Sequence, residues 1–306
     1  MDFEKIDLKE FVDIPSSIPQ VRLNIPLVGI CQRPTNILVL DPFDKSKSTQ
    51  VYSDIRISCS LNSKQRGLHM SRIEECIEEL KYAGLDICEY VRECALLVKR
   101  TQGQKVCKVE LTSHYEKDNL KNPSKKQSKE ILELLTSIEI NEDKESLQVG
   151  VVVPFINACP CTQRWGMRAY YETLRTKGYD HSTSEDLVRC APLQAHTNRG
   201  KAKVCISSSE VSHKTIYDVL DNSVPIIREL LKGQDEHSVV RHAHEQGQFC
   251  EDNIRAIAQQ VALTFKDKLP AKTPILIHVE VDESVHFHNL WAEMDQSLGE
   301  LCAGLE

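Results

Sequence analysis

Two cysteines, Cys159 and Cys161, flank Pro160 in the run Ala158-Cys159-Pro160-Cys161-Thr162-Gln163, at the exit of the apolar stretch 149–156. A thiolate is a nucleophile and a soft metal ligand. The C-x-C spacing is not that of a structural zinc knuckle, and a pair of packed, inert cysteines is the other reading. A second stretch, Glu283-Ser284-Val285-His286-Phe287-His288, offers complementary groups. In a helix or tight turn Glu283 and His286 share a face; in an extended chain His286 and His288 do. Either arrangement presents imidazole nitrogens, and with a thiolate and carboxylates these suit a catalytic Zn2+ or Fe2+ centre. A strand end with solvated histidines is the alternative.

Three further clusters carry less. Lys64, Arg66, His69 and Arg72 surround Gly67 between a strand and a helix start. They read as an anion cradle or as a basic turn with a serine cap. His196-Thr197-Asn198-Arg199-Gly200 precedes a strand; a histidine three residues from an arginine is common by chance. The pair Asp235-Glu236, with His237, His242 and His244 and then Phe249-Cys250-Glu251-Asp252, reads most simply as solvated helix faces.

The elements that must position these groups follow from periodicity. Strands are predicted over 51–61, 105–113, 147–156, 202–207 and 273–281, where apolar residues alternate or run together. Helices are predicted from 71 onward, where Ile73, Cys76, Ile77 and Leu80 form a stripe, and over 86–99, 166–177, 184–190, 214–231, 236–245 and 249–266. The first 45 residues are punctuated by proline. The lysine-rich stretch 117–129 reads as a solvated loop leading into a helix. Strands and helices in grouped order predict an α+β architecture with antiparallel sheets. A second pass through a similar order from 146 suggests a duplicated module, with domains at 1–145 and 146–306.

Composition narrows the classes. With 306 residues, 41% hydrophobic and 27% charged, the chain reads as a soluble globular protein of about two domains. A net charge of −7 argues against a nucleic-acid-coating surface. No stretch approaches the roughly 18–20 apolar residues that span a bilayer, and the acidic start lacks a signal-peptide pattern. A cytoplasmic protein is expected, its twelve cysteines mostly free thiols in a reducing compartment.

Taken in order, QRGLHMSR at 65–72, ACPCTQ at 158–163, HTNRG at 196–200, the DE pair at 235–236, FCED at 249–252 and ESVHFH at 283–288 resemble the type IB GTP cyclohydrolases, most closely the archaeal-type branch of methanopterin synthesis. The resemblance covers about residues 50–295, and the long segment between Cys159 and His196 also looks like that branch. It implies tandem tunnelling-fold (T-fold) modules in a homo-oligomer, dimer or tetramer, with active sites at subunit interfaces. It implies one divalent ion per site, Fe2+, Zn2+ or Mn2+, with Cys159, His196, Glu236, Glu283 and His286 as ligands and Cys161 as a neighbour of open role. Glu251 matches the carboxylate that anchors the guanine edge. Lys64, Arg66, His69, Arg72 and Arg199 match the triphosphate side, and His286 or His288 would move protons. The implied reaction opens the imidazole ring of GTP at C8, releases formate and gives a 7,8-dihydroneopterin phosphate, as triphosphate or 2′,3′-cyclic phosphate, for folate- or methanopterin-type pterins. No nucleic-acid or membrane partner is implied. Two departures stand out. The family's His-Asn-Gln-Arg is His196-Thr197-Asn198-Arg199, and its Ile-His-x-His-Asp is Val285-His286-Phe287-His288-Asn289. They leave open a divergent relative acting on another purine or pterin, or a non-catalytic metal-binding regulator.

Overall fold

The structure, a computed structural model, describes residues 13–119, 122–142, 144–192, 195–230 and 232–305. The acidic start of the chain therefore lies outside the described residues. Eight strands hydrogen-bond in chain order as one sheet, and helices accompany them, the α+β architecture that the grouped elements predict. Packing separates two compact units. One runs to Thr112 and includes Thr136–Leu147; the other comprises Ser113–Leu135 and Gln148–Glu306.

In the first unit β1 (Ile25–Leu40) pairs antiparallel with β2 (Ser48–Leu61), from Leu40 opposite Ser48 to Ile25 opposite Leu61. The proline-punctuated start thus contains a sixteen-residue strand that alternation alone does not reveal. Pro26 and Pro34 are tolerated because β1 is the sheet edge, where a missing N–H costs no ladder bond. Its register shifts between Ile30 and Arg33, where Gln32 takes a positive φ of 53°, as in a β-bulge. Helix α1 (Met70–Leu80) buries the Ile73–Cys76–Ile77 stripe. Helix α2 (Ile87–Gln102) opens with a capping box in which Asp86 Oδ1 accepts from Cys88 N–H at 2.9 Å and Glu89 Oε2 from Asp86 N–H at 3.2 Å. It stops at Gly103, whose φ of 63° favours glycine.

The stretch predicted to lead from a loop into a helix is corrected. β3 (Val106–Asn119) runs into it, and the last residues of the stretch belong to β4 (Ser128–Asn141). Leu132, Leu134, Ile138 and Ile140 are buried at even spacing, so period two governs and the lysines fall outside the core. In the second unit β4 also carries Glu130, fully buried, its charge paired with Arg228 Nε at 2.7 Å while it accepts a hydrogen bond from the Tyr217 hydroxyl. Burial, reinforced by that carboxylate, pushes the Tyr217 phenol up, so it remains a donor.

The second unit also contains β5 (Lys144–Ala158, from Gln148 on), β6 (Thr197–Ile206), β7 (Pro274–Asp282) and β8 (Leu290–Ser297). Each is antiparallel to the next. Helices α3 (Pro160–Thr176) and α4 (His181–Cys190) pack on each other in the segment between Cys159 and His196. α5 (His213–Asp221) is shorter than predicted, because the residue before Pro225 is disfavoured in a helix and Ile226 instead bridges to Phe155. α6 (Gly233–Glu245) follows, then α7 (Cys250–Phe265), which packs on β7 and β8, and the short α8 (Leu298–Ala303). Among the described residues no helix is long and apolar enough to cross a membrane.

Candidate active site

Three strand ends gather the chemistry of the second unit. Asn157 lies opposite Asn198 and Ala158 opposite Thr197 on β5 and β6, and Arg199 faces Asp282 on β7. The residues just beyond those ends are Cys159, His196 and Glu283. Gly200 makes the strands' approach possible: a Cβ there would sit 2.5 Å from the Phe155 ring and 2.6 Å from the Glu280 carbonyl.

Cys159 is the N-cap of α3, in extended backbone, and Pro160 begins the helix with its φ already set. The Cys159 N–H donates to the His196 carbonyl at 3.2 Å. Buried Gln163, one turn on, donates from Nε2 to the His244 carbonyl at 2.7 Å, and Gln248 N–H donates to Ala158 O at 3.2 Å. These bonds seat the end of α6 beside Cys159. Cys161, in the first turn of α3, is exposed.

The loop between β7 and β8 supplies the histidines. The His196 and His286 ring centroids lie 6.3 Å apart, edge to face, and His286 stacks on His288 at 5.2 Å. Asn198 links the loop to His196: its Oδ1 is 3.2 Å from His196 Nδ1 and accepts from Ser284 N–H at 3.1 Å, while its Nδ2 donates to Glu283 Oε1 at 2.7 Å. Glu283 Oε2 is a buried acceptor with no partner, an unusual position for a carboxylate oxygen.

Of the residues expected to hold a metal, the structure thus brings Cys159, His196, Glu283 and His286 to one end of the sheet. Glu236 is exposed in the first turn of α6; its neighbour Asp235 is buried and accepts from Ser124 N–H at 2.8 Å and Ser124 Oγ at 2.7 Å. Among the described residues no three His, Cys, Asp or Glu side chains converge into a group that could hold an ion. The types of donor present, a thiol, two imidazoles and a carboxylate, are those a divalent cation takes, and the unpartnered Glu283 Oε2 stands within the same hydrogen-bond network as the His196 imidazole. Glu251 is exposed at the start of α7, and Arg199 is exposed on β6. Cys250, beside Glu251, is core: its thiol is pushed up to about 11, chiefly by burial, and it donates to Val279 O.

The first unit holds a separate cationic cleft of about 550 Å³, lined by Lys64, His69 and Arg72 and by Arg100 and Gln102 from the last turn of α2. Gln102 grips the His69 backbone from both sides, accepting from its N–H at 3.0 Å and donating to its carbonyl at 2.9 Å. An N-terminal strap covers the other flank. Arg66 N–H donates to Ser17 O at 2.8 Å and Gly67 N–H to Pro15 O at 3.1 Å. Ser16 Oγ lies 3.2 Å from His69 Nε2, and Asp13 Oδ1 lies 3.6 Å from Nδ1. The Ser16 hydroxyl, aided by its backbone N–H and by His69 and Arg72, holds the Asp13 carboxyl below the ordinary range. Arg66 is exposed and does not line the cleft. Arg100 and Gln102 escape sequence reading because they end a helix thirty residues downstream; the glycine that stops that helix is the only local sign.

The type I GTP cyclohydrolase folE2 family matches residues 11–292, which includes both the basic cleft and the strand-end cluster. This chain belongs to the type I GTP cyclohydrolase family. Relatives include proteins named GTP cyclohydrolase MptA. That of Methanococcus aeolicus is 27% identical over 95% of this chain and 98% of its own length. That of Methanocaldococcus jannaschii is 28% identical over 94% and 96%. The archaeal sources agree with the branch that the motifs resemble. Among solved structures, uricase from Arthrobacter globiformis aligns with a TM-score of 0.49 and 7% identity over 91% of this chain and 96% of that one. A likeness at that level bears on neither fold nor reaction. Within this GTP cyclohydrolase, the His-Thr-Asn-Arg and Val-His-Phe-His-Asn departures fall on the residues that hold the β7–β8 loop.

Proposed function

We propose that this chain is a GTP cyclohydrolase that opens the guanine imidazole ring of GTP at C8, releases C8 as formate and delivers a 7,8-dihydroneopterin phosphate to pterin biosynthesis. The observation that carries the reading is the family match over residues 11–292; within that range Cys159, His196 and Glu283 stand just beyond the ends of β5, β6 and β7, with His286 on the loop that follows. A divalent ion, Fe2+, Zn2+ or Mn2+, held by Cys159, His196, Glu283 and His286 with Glu236 as a further ligand, would lower the pKa of a bound water toward about 7.

The residues of the chain divide the remaining work. Glu251 accepts paired N–H donors from the guanine edge. Lys64, His69 and Arg72, with Arg199, meet the phosphates through charge-assisted bonds. His286 and His288, stacked and exposed, exchange protons with the ring nitrogens and the sugar oxygens as the C–N bonds break, because an imidazole can accept a proton at one nitrogen and donate one from the other. Two waters add while C8 leaves as formate, and one returns when the rearranged sugar carbonyl condenses with the freed amine. The net consumption is one water per GTP. The reading includes a homo-oligomer with sites formed between subunits, as the family resemblance implies, and tandem T-fold modules as its frame.

Anaerobic incubation with GTP and each of the three ions, followed by product mass spectrometry and pterin fluorescence after oxidation, tests the proposal. A dihydroneopterin triphosphate supports it, as does a dihydroneopterin 2′,3′-cyclic phosphate, whose formation releases diphosphate when a sugar hydroxyl displaces it at the α-phosphorus; their masses tell the two apart. Unchanged GTP with every ion contradicts it.

A further inference from the structure

We infer that Asn198 is a positioning residue that fixes the tautomer of His196 and the carboxylate of Glu283 together. The amide orientation follows from its partners. The Ser284 backbone N–H can only donate and the Glu283 carboxylate only accepts, so Oδ1 must face Ser284 and Nδ2 must face Glu283. Turned over, the amide would set like against like at both contacts. Oδ1 therefore also faces His196 Nδ1, at 3.2 Å. An acceptor there requires the proton on Nδ1, with the Ser284 hydroxyl at 3.3 Å as a second acceptor. His196 Nε2 is left as a bare lone pair, the form that a ligand or base needs. The same amide holds Glu283 by Oε1 and leaves Oε2 unpartnered.

Asn198 is 4% exposed, so water does not readily replace these bonds. A second asparagine completes the arrangement. Asn289 Oδ1 accepts from Glu283 N–H at 3.2 Å and Nδ2 donates to Asp282 Oδ1 at 2.9 Å. The aspartate usual in the family at this position would set two carboxylates against each other here. The two departures from the family pattern thus act on one loop from its two ends. At the Glu283 backbone this chain uses the Asn289 amide where the family pattern has an aspartate, while Asn198 keeps an amide where the pattern has a glutamine, on a side chain one methylene shorter.

The consequence for turnover rests on the cyclohydrolase reading; the tautomer does not. Long-range 1H–15N correlation spectra of the histidine side chains in the metal-free protein, assigned through His196→Gln, read the tautomer directly. The wild type should show His196 protonated on Nδ1 and bare at Nε2. Asn198→Ala should give a mixture of tautomers. Asn198→Asp keeps the acceptor but repels Glu283, so it should retain the Nδ1–H form. Both variants should lose about 10–100-fold in kcat with little change in KM. A wild-type His196 protonated on Nε2, or an Asn198→Ala protein with unchanged tautomer and kcat, overturns the inference. A wild type that shows the Nδ1–H form but does not act on GTP refutes the cyclohydrolase reading and leaves the role of Asn198 supported.

Discussion

The basic cleft of the first unit and the strand-end cluster of the second hold their polar groups in different ways. In the cleft the scaffold does the holding. Gln102 clamps the His69 backbone, an N-terminal strap bonds to Arg66 and Gly67, and α2 delivers Arg100 from a well-capped helix. In the second unit His286 and His288 sit on the seven-residue connection from Glu283 to Asn289, held by Asn198 of β6, which bonds to His196, Glu283 and Ser284, and by the connection's own Asn289, which bonds to Glu283 and Asp282. A prebuilt cleft suits binding of a group whose charge does not change in the reaction. Under the proposed function, a loop steered by a few amides suits groups that exchange protons as the ring opens and recloses. The difference teaches where substitutions should separate affinity from turnover.

The largest effect should come from the second unit. His286→Ala removes a proton carrier and a donor, and kcat should fall by about 10²–10⁴-fold with GTP affinity retained, read by steady-state kinetics and direct binding. In the cleft the balance should reverse. Arg72→Ala forfeits a charge-assisted contact worth about 1.5–3 kcal/mol, so KM should rise roughly 10–100-fold while kcat holds. A fall in kcat alone would break the division of labour between the two regions. Gln102→Leu keeps the volume but strips the His69 backbone of both partners. The cost should be about 1–3 kcal/mol of stability, seen as a lower Tm in calorimetry and a KM effect smaller than that of Arg72→Ala. The smallest effect concerns the strap. The folded Asp13 carboxyl titrates below its ordinary 3.8, so its contribution is fully present above that value and is lost as pH falls through the folded value. The protection factors of the Arg66 and Gly67 amides, their exchange rates relative to the intrinsic rate at each pH, should therefore hold from neutral pH down to about pH 4 and fall only below it; equal protection across that range would mean that Asp13 does not hold the strap.

Much of this was legible in the chain, and the remainder fails for identifiable reasons. Apolar stripes such as Ile73, Cys76 and Ile77 gave helices because local periodicity and burial coincide. β1 was hidden by its prolines, which matter only if the strand is internal, and strand position in a sheet is a tertiary fact. β4 was masked by the polar residues preceding it, although Leu132, Leu134, Ile138 and Ile140 carry the alternation. Of the candidate residues, Cys159, His196, Glu283 and His286 are named by type and order, and they lie at or beyond the ends of β5, β6 and β7. Asn198 appeared only as a departure from a motif; its role emerges when β6 sets it beside the β7–β8 loop. Glu236 and Glu251 stay exposed, and the basis on which they were named was likeness to the family rather than local chemistry.

Formate released from C8-labelled GTP, measured side by side for the wild type and Cys159→Ala under anaerobic conditions with Fe2+, Mn2+ or Zn2+, decides whether the strand-end cluster opens the guanine ring. The account predicts one formate per GTP consumed by the wild type with at least one ion, and none above background from the variant while it still binds GTP. No formate from the wild type with any ion, or equal formate from both proteins, would contradict it.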